Sequence, residues 1–232
     1  MKRLGLIGGV SPESTAIYYR LLNEAARARL GGGHSQDMII SSFDFGPMLD
    51  LYEASDWDGY IDAIVAAGRR LQPAGVDALM ICSNTSGMAS AALRAATGLP
   101  VIDLIDALAA ALAAAGVKRP LLLGTPFTMD GPFYRSALEE RHGQATIVPG
   151  EADRETVRRV IFDELVNGIV TDASRRAYLE VIERGRGAGA DGVILGCTEI
   201  CMLISQDHVG LPVFDTTAIH AAAASAYALG EA

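Results

Sequence analysis

The 232 residues carry 28 acidic and 19 basic side chains, a net charge of −9, and are 50% hydrophobic, with a mean hydropathy of +0.25 and a pI near 4.9. Nucleic acid needs a basic face and is a poor partner for such a chain, and no apolar run reaches the roughly 18 residues of a membrane-spanning helix. Three cysteines do not make a disulfide framework, and His34, His142, His208 and His220 form no metal-like spacing with one another or with a cysteine. The opening Met-Lys-Arg-Leu-Gly-Leu-Ile-Gly-Gly has no long apolar region or cleavage site. A reducing cytoplasm, without membrane or structural metal, is the expected setting.

In chain order, short apolar or β-branched runs predict strands at residues 3–7, 38–42, 78–82, 101–102, 121–123, 146–148, 193–195 and 213–214. Ala- and Arg-rich stretches between them predict helices that include 12–30, 86–96, 104–115, 155–167 and 217–229. Such alternation is the pattern of parallel α/β sheets. Ser11 is placed to cap the first helix, Pro12 occupies its first position, and the glycines at 31–33 stop it.

The chain also repeats itself. Ala74-Gly75-Val76-Asp77-Ala78-Leu79-Met80-Ile81 resembles Ala188-Gly189-Ala190-Asp191-Gly192-Val193-Ile194-Leu195, and Gly98-Leu99-Pro100-Val101-Ile102-Asp103 resembles Gly210-Leu211-Pro212-Val213-Phe214-Asp215. With Tyr19-Arg20 set against Tyr134-Arg135, three blocks share their order at offsets of 112 to 115 residues. Two copies of one α/β unit are therefore expected, residues 1–103 plus 214–232 forming one half and 104–213 the other. Open parallel sheets place chemistry beyond the carboxyl ends of their strands, so the active site is expected in the cleft between two pseudo-symmetric domains.

Aligning the repeats sets Ser83 opposite Cys197, Asn84 opposite Thr198 and Thr85 opposite Glu199, each at a strand-to-helix transition. A thiol near the N–H groups of a helix start is expected to have a lowered pKa. The alternative for Cys197 is the small buried hydrophobe that free cysteine commonly is. Its place at a strand end, followed by Thr-Glu, favours chemistry.

Gly8-Gly9-Val10-Ser11-Pro12-Glu13-Ser14-Thr15, Asn84-Thr85, Leu123-Gly124-Thr125, Leu195-Gly196-Cys197-Thr198-Glu199 and Phe214-Asp215-Thr216-Thr217 together resemble the cofactor-independent aspartate/glutamate racemase family. The resemblance implies two related α/β domains, no pyridoxal phosphate, and two cysteines working on opposite faces of the substrate's α-carbon. One thiolate removes the α-proton and the other thiol returns a proton from the far side. Two departures stand out. The first family cysteine commonly precedes Asn-Thr, where this chain has Ser83, and the histidine often found two residues after Asn-Thr is here Gly87. Cys82 is adjacent, but side chains alternate along a strand, so it should point away if Ser83 faces the cleft. Cys201 is expected to be a second structural thiol on the next turn.

No Lys or Arg occurs from Leu30 to Gly68, from Leu71 to Leu93, from Val160 to Ser174 or after Arg186. The acid-specific branch of the resembled family would place basic residues near 43–51 and near 166–167, and neither is present. The α-carboxylate must then be held by hydroxyls, amides and backbone donors, with Ser11, Asn84, Thr85, Thr125, Thr128 and Thr198 as candidates. Capping and turn chemistry is the ordinary alternative for each. Glu199 is a candidate for the substrate ammonium. Asp103 and Asp215 read as caps, Asp44 and the acidic run 50–58 as a solvated loop and helix entry, and His220 as structural.

The expected function is an amino-acid racemase or epimerase with Cys197 as main acid/base and Ser83 in place of the second cysteine. It would act on an amino acid, a small-molecule substrate, as a homodimer, without cofactor or metal. Two alternatives remain: a single-cysteine lyase or decarboxylase of the same superfamily, and an amino-acid-binding homologue with weakened turnover.

Overall fold

The computed structural model describes residues 1–231. The chain divides into two compact units, one made of residues 1–104 with the segment from His220 onward, the other of residues 105–219.

The first unit holds strands β1 (Leu4–Gly8), β2 (Met38–Ser42), β3 (Ala78–Ile81) and β4 (Val101–Ile102), all parallel in the order β2-β1-β3-β4. Its helices are α1 (Pro12–Leu30), α2 (Phe45–Glu53), α3 (Trp57–Leu71) and α4 (Ser90–Thr97). Alternation along β1 and β3 divides the core in two. Leu4, Leu6, Ala78, Met80 and Cys82 pack with Tyr18, Leu22, Ala221 and Ala224, whereas Ile7, Leu79 and Ile81 pack with Tyr60, Ile64 and Leu93. Both faces are covered, which is why β1 and β3 are apolar without interruption.

Helix α1 starts where expected: Ser11 Oγ accepts from the Ser14 N–H at 3.3 Å, Pro12 opens the helix, and Gly31, at φ +74°, closes it. Such a cap is worth about 1 kcal/mol. The acidic run after β2 proves mostly helical, with Asp44 and Asp56 capping α2 and α3. Between β1 and α1 the chain passes so close to Phe43 that a Cβ on Gly9 would lie 2.4 Å from its backbone N and O. Gly9 also has φ +82°, a conformation other residues rarely adopt.

The second unit holds α5 (Leu104–Ala114), β5 (Leu121–Gly124), α6 (Pro126–Asp130), α7 (Pro132–His142), α8 (Glu151–Arg159), α9 (Asp172–Gly187), β6 (Val193–Gly196) and β7 (Val213–Asp215); α10 (Thr216–Leu229) closes the chain. Strands β5, β6 and β7 are parallel in that order. An isolated parallel bridge joins Leu121 to Ile147 on the outer side of β5. The repeat is thus realised, with 147 standing where β2 stands in the first sheet. The strand expected at 146–148 shrinks to this bridge because Pro149 has no N–H to extend the pairing. Leu121, Leu123, Val157, Ile161, Tyr178, Val193 and Leu195 form the second core.

Two boundaries differ from expectation. The helix foreseen at 155–167 begins at Glu151 with no capping side chain on Gly150, then widens into a π turn (Val160–Glu164) and a 3-10 turn (Leu165–Asn167). Strand β7 bonds to β6, so residues 214–219 belong to the second unit and the chain re-enters the first at His220.

Candidate active site

In the second unit, β6 ends at Gly196 and the chain turns through Cys197, Thr198 and Glu199 into a 3-10 turn, Ile200–Met202. The Cys197 thiol, 7% exposed, donates to Glu199 Oε2 at 2.9 Å. Thr198 Oγ1 donates to the same oxygen at 2.8 Å. Burial, followed by the charge and hydrogen bond of Glu199, pushes the Cys197 pKa well above the ordinary thiol value. This corrects the expected direction. A three-residue 3-10 turn offers few aligned peptide dipoles, while a thiolate here would lie buried beside a carboxylate. The resting group is a neutral thiol.

Tyr178, fully buried nearby, donates to Val157 O at 3.1 Å. Its phenol is raised by burial first and then by the charges of Cys197 and Glu164. Cys201 is half-buried and donates to Thr198 O at 3.0 Å, a structural bond at the back of the same turn.

Thr125 caps α6 by accepting from the Thr128 N–H, and the two hydroxyls are 3.1 Å apart. Thr128 is completely buried and fills the space that a Cβ on Gly124 or Gly196 would need. Thr125 is half-buried; Thr128 is packed behind it.

The first unit repeats the plan with different chemistry. Cys82 points into the core shared by α1 and α10, where burial raises its pKa far above the ordinary value. Ser83 follows on the other side, and its Oγ accepts from the Ser86 N–H at 3.3 Å. Asn84 is buried and Thr85 half-buried at the start of a 3-10 turn, Thr85–Ala89. Ser14 Oγ donates to Cys82 O at 2.7 Å, fixing the end of β3. Ser11 is buried above α1; its carbonyl accepts from Thr15 Oγ1 at 3.0 Å, and Thr15 Oγ1 accepts from the Gly9 N–H at 2.7 Å. Within their own units, then, Ser11, Ser83, Asn84 and Thr85 lie at the carboxyl ends of β1 and β3, and Thr125, Cys197, Thr198 and Glu199 at those of β5 and β6.

Asp215 Oδ1 caps α10 through the Thr217 and Ala218 N–H groups, and His220 bonds Tyr18 OH and Ile102 O. Both are structural, as read from the sequence. Tyr60 and Tyr178 were not foreseen beside these turns, because a buried tyrosine on a helix carries no signal of the strand end it reaches. Among the described residues, no helix is long and apolar enough to cross a membrane, and no group of three or more His, Cys, Asp or Glu could hold a metal ion.

Each unit is built on a parallel α/β sheet, with a thiol beyond β6 in one and a hydroxyl at the equivalent place beyond β3 in the other, and this defines a class of duplicated α/β proteins. The chain belongs to the Asp/Glu/hydantoin racemase family, whose pattern it matches over residues 7–224. It is 44% identical to a candidate Asp/Glu racemase from Yersinia pestis, covering 99% of this chain and 100% of that one, with a TM-score of 0.92. An aspartate racemase homologue from Pyrococcus horikoshii OT3 is 34% identical over 96% of each chain, with a TM-score of 0.84. A glutamate racemase from Synechococcus sp. (strain CC9605) is 29% identical over 127 residues, 54% of this chain and 44% of that protein. The chain spans about half the length of the curated relatives it matches.

Proposed function

We propose that this protein is a cofactor-independent amino-acid racemase or epimerase in which Cys197 and Ser83 serve opposite faces of one α-carbon. The observation that carries the reading is the 2.9 Å bond from the Cys197 thiol to Glu199 at the carboxyl end of β6, in a chain of this family. A neutral thiol is a proton donor; to act as a base it must first pass its proton to Glu199. The thiolate then takes the α-proton, and the electron pair moves into the substrate carboxylate as an enediolate. A proton passed from solvent through the Ser83 hydroxyl to the far face completes inversion, and Glu199 releases the thiol's former proton to solvent, which restores every group. In the reverse sense Ser83 would have to be the base, and an alcohol is a far weaker acid than a thiol of pKa about 8.5. The two senses of racemisation share one reversible path and an equilibrium constant of one, so the weak second base slows both. The asymmetry should appear in α-proton exchange without inversion, fast for the enantiomer that faces Cys197.

Charge developing on the substrate carboxylate requires donors, each worth about 3 kcal/mol when aimed at the transition state. Ser11, Asn84, Thr85 and Thr125 are the proposed set. Thr198 directs its proton at Glu199, so with Thr128, packed behind Thr125, it is given a supporting role. No Lys or Arg occurs at 30–68 or 160–174, where cations holding a second carboxylate were sought, so neutral amino acids belong among the substrates tested. The protein is proposed to work as a cytoplasmic homodimer without metal or organic cofactor.

The test is incubation of both enantiomers of a panel of amino acids in deuterated water, followed by mass spectrometry and chiral analysis. α-Deuteration with inversion supports the reading; neither exchange nor inversion on any substrate refutes it. Ser83 favours one second reading, a single-thiol lyase that protonates an enolate on one face. Carbon dioxide release from disubstituted malonates, without racemisation, would identify it.

A further inference from the structure

We propose that Tyr60 and Ser86 are positioning residues that hold the Ser83 hydroxyl for its task on the second face of the α-carbon. The inference rests on the racemase reading given above. Tyr60, 2% exposed on α3, places its hydroxyl 2.8 Å from Ser86 Oγ, which is wholly buried. The backbone N–H of Ser86 is the group that donates to Ser83 Oγ. The phenol therefore ties down the residue whose amide orients the serine. Burial pushes the Tyr60 pKa up to about 12, so the phenol keeps its proton at any working pH.

Two consequences follow for Ser83. With Ser86 N–H as donor, one lone pair of Ser83 Oγ is occupied and its own proton is turned elsewhere, which suits donation and opposes action as a base. The end of β3 is also held twice over, by Ser14 at Cys82 O and by Tyr60 at Ser86. Tyr178, the tyrosine beside Cys197, directs its hydroxyl to Val157 O instead. Loss of the Tyr60 hydroxyl should thus be felt on the Ser83 face alone.

The experiment compares Tyr60→Phe, Ser86→Ala and Ser83→Ala with the natural protein by α-proton exchange of each enantiomer in deuterated water. Tyr60→Phe and Ser86→Ala are expected to change the ratio of the two exchange rates about fivefold, the equivalent of one ordinary hydrogen bond. The change should take the same direction as in Ser83→Ala, with exchange on the Cys197 face kept within about twofold. A second measurement needs no turnover. In a Ser83→Cys background, adding Tyr60→Phe should slow site-resolved alkylation at position 83 about fivefold at neutral pH, as the amide that stabilises a thiolate loosens. An unchanged alkylation rate overturns the inference, as does a ratio that responds to Ser83→Ala but not to Tyr60→Phe. If Ser83→Ala itself leaves the ratio unmoved, the racemase reading of Ser83 fails, and the alkylation arm still decides whether Tyr60 governs that position.

Discussion

Glu199 Oε2 accepts two hydrogen bonds at once, from the Cys197 thiol at 2.9 Å and from Thr198 Oγ1 at 2.8 Å. A carboxylate so placed stabilises the thiol and disfavours the thiolate. In the proposed reaction the base is thereby stored as an acid, in contact with the carboxylate proposed to take its proton.

Replacing Glu199 by Gln should separate these two effects. Without the carboxylate the Cys197 pKa falls, since the charge and hydrogen bond of Glu199 both raise it. The pH profile of Cys197 alkylation should move to lower pH. Exchange of α-protons should nevertheless drop, by about tenfold or more, because the acceptor of the thiol proton is gone. Faster alkylation together with undiminished exchange would show that Glu199 takes no part in proton transfer.

Cys197→Ala should abolish α-proton exchange, whereas Cys82→Ala and Cys201→Ala should keep most of it. Cys82 faces the core between α1 and α10, and its loss should appear as reduced thermal stability. Equal damage to exchange from Cys82→Ala in a folded protein would reverse the assignment of the face.

Ser83→Cys should increase racemisation in both senses, which are linked by an equilibrium constant of one, and should speed α-proton exchange of the enantiomer that now exchanges slowly. A thiol shares a proton with a carbon acid more readily than an alcohol does. The gap between the exchange rates of the two enantiomers should narrow. An unchanged ratio in a folded variant would mean that residue 83 does not face the α-carbon and would favour the lyase.

His220 should make stability depend on pH. Its Nε2 faces Ile102 O at 2.8 Å and must donate, so Nδ1 accepts from Tyr18 OH at 2.9 Å. Burial lowers its pKa below the ordinary 6.5, against weaker raising effects of the Ile102 carbonyl and Asp103. A depressed folded value means that the contribution is complete above pH 6.5 and is lost as pH falls towards that value. Each tenfold loss of proton affinity is worth about 1.4 kcal/mol. Urea midpoints should fall between pH 7 and pH 5, and less steeply in His220→Gln.

Much of the fold was legible because it rests on short-range patterns. The Ser11-Pro12 start and Gly31 stop of α1 are local chemistry, and the apolar runs of β1, β3, β5 and β6 reflect burial on both faces. The duplication showed in matched blocks, and the parallel sheets β2-β1-β3-β4 and β5-β6-β7 carry it out. Less legible was the stretch from Glu151 to Asn167, where α8 passes into a π turn without any residue that enforces it. The outermost strand of the second unit was overstated at 146–148, since edge pairing depends on what Pro149 leaves unbonded.

The sequence by itself determined the duplicated α/β plan, the serine standing where the repeat has Cys197, and the scarcity of cations near the expected strand ends. Those are properties of residue order. Only the tertiary structure decided the proton state of Cys197 and the setting of Ser83. A pKa is fixed by burial and by the few ångströms separating a thiol from a carboxylate, and neither distance is encoded in spacing along the chain. Glu199 was two residues away in the sequence, yet its oxygen could have pointed to solvent. Tyr60 lay 26 residues from Ser86 and reaches it only because α3 packs against the turn after β3.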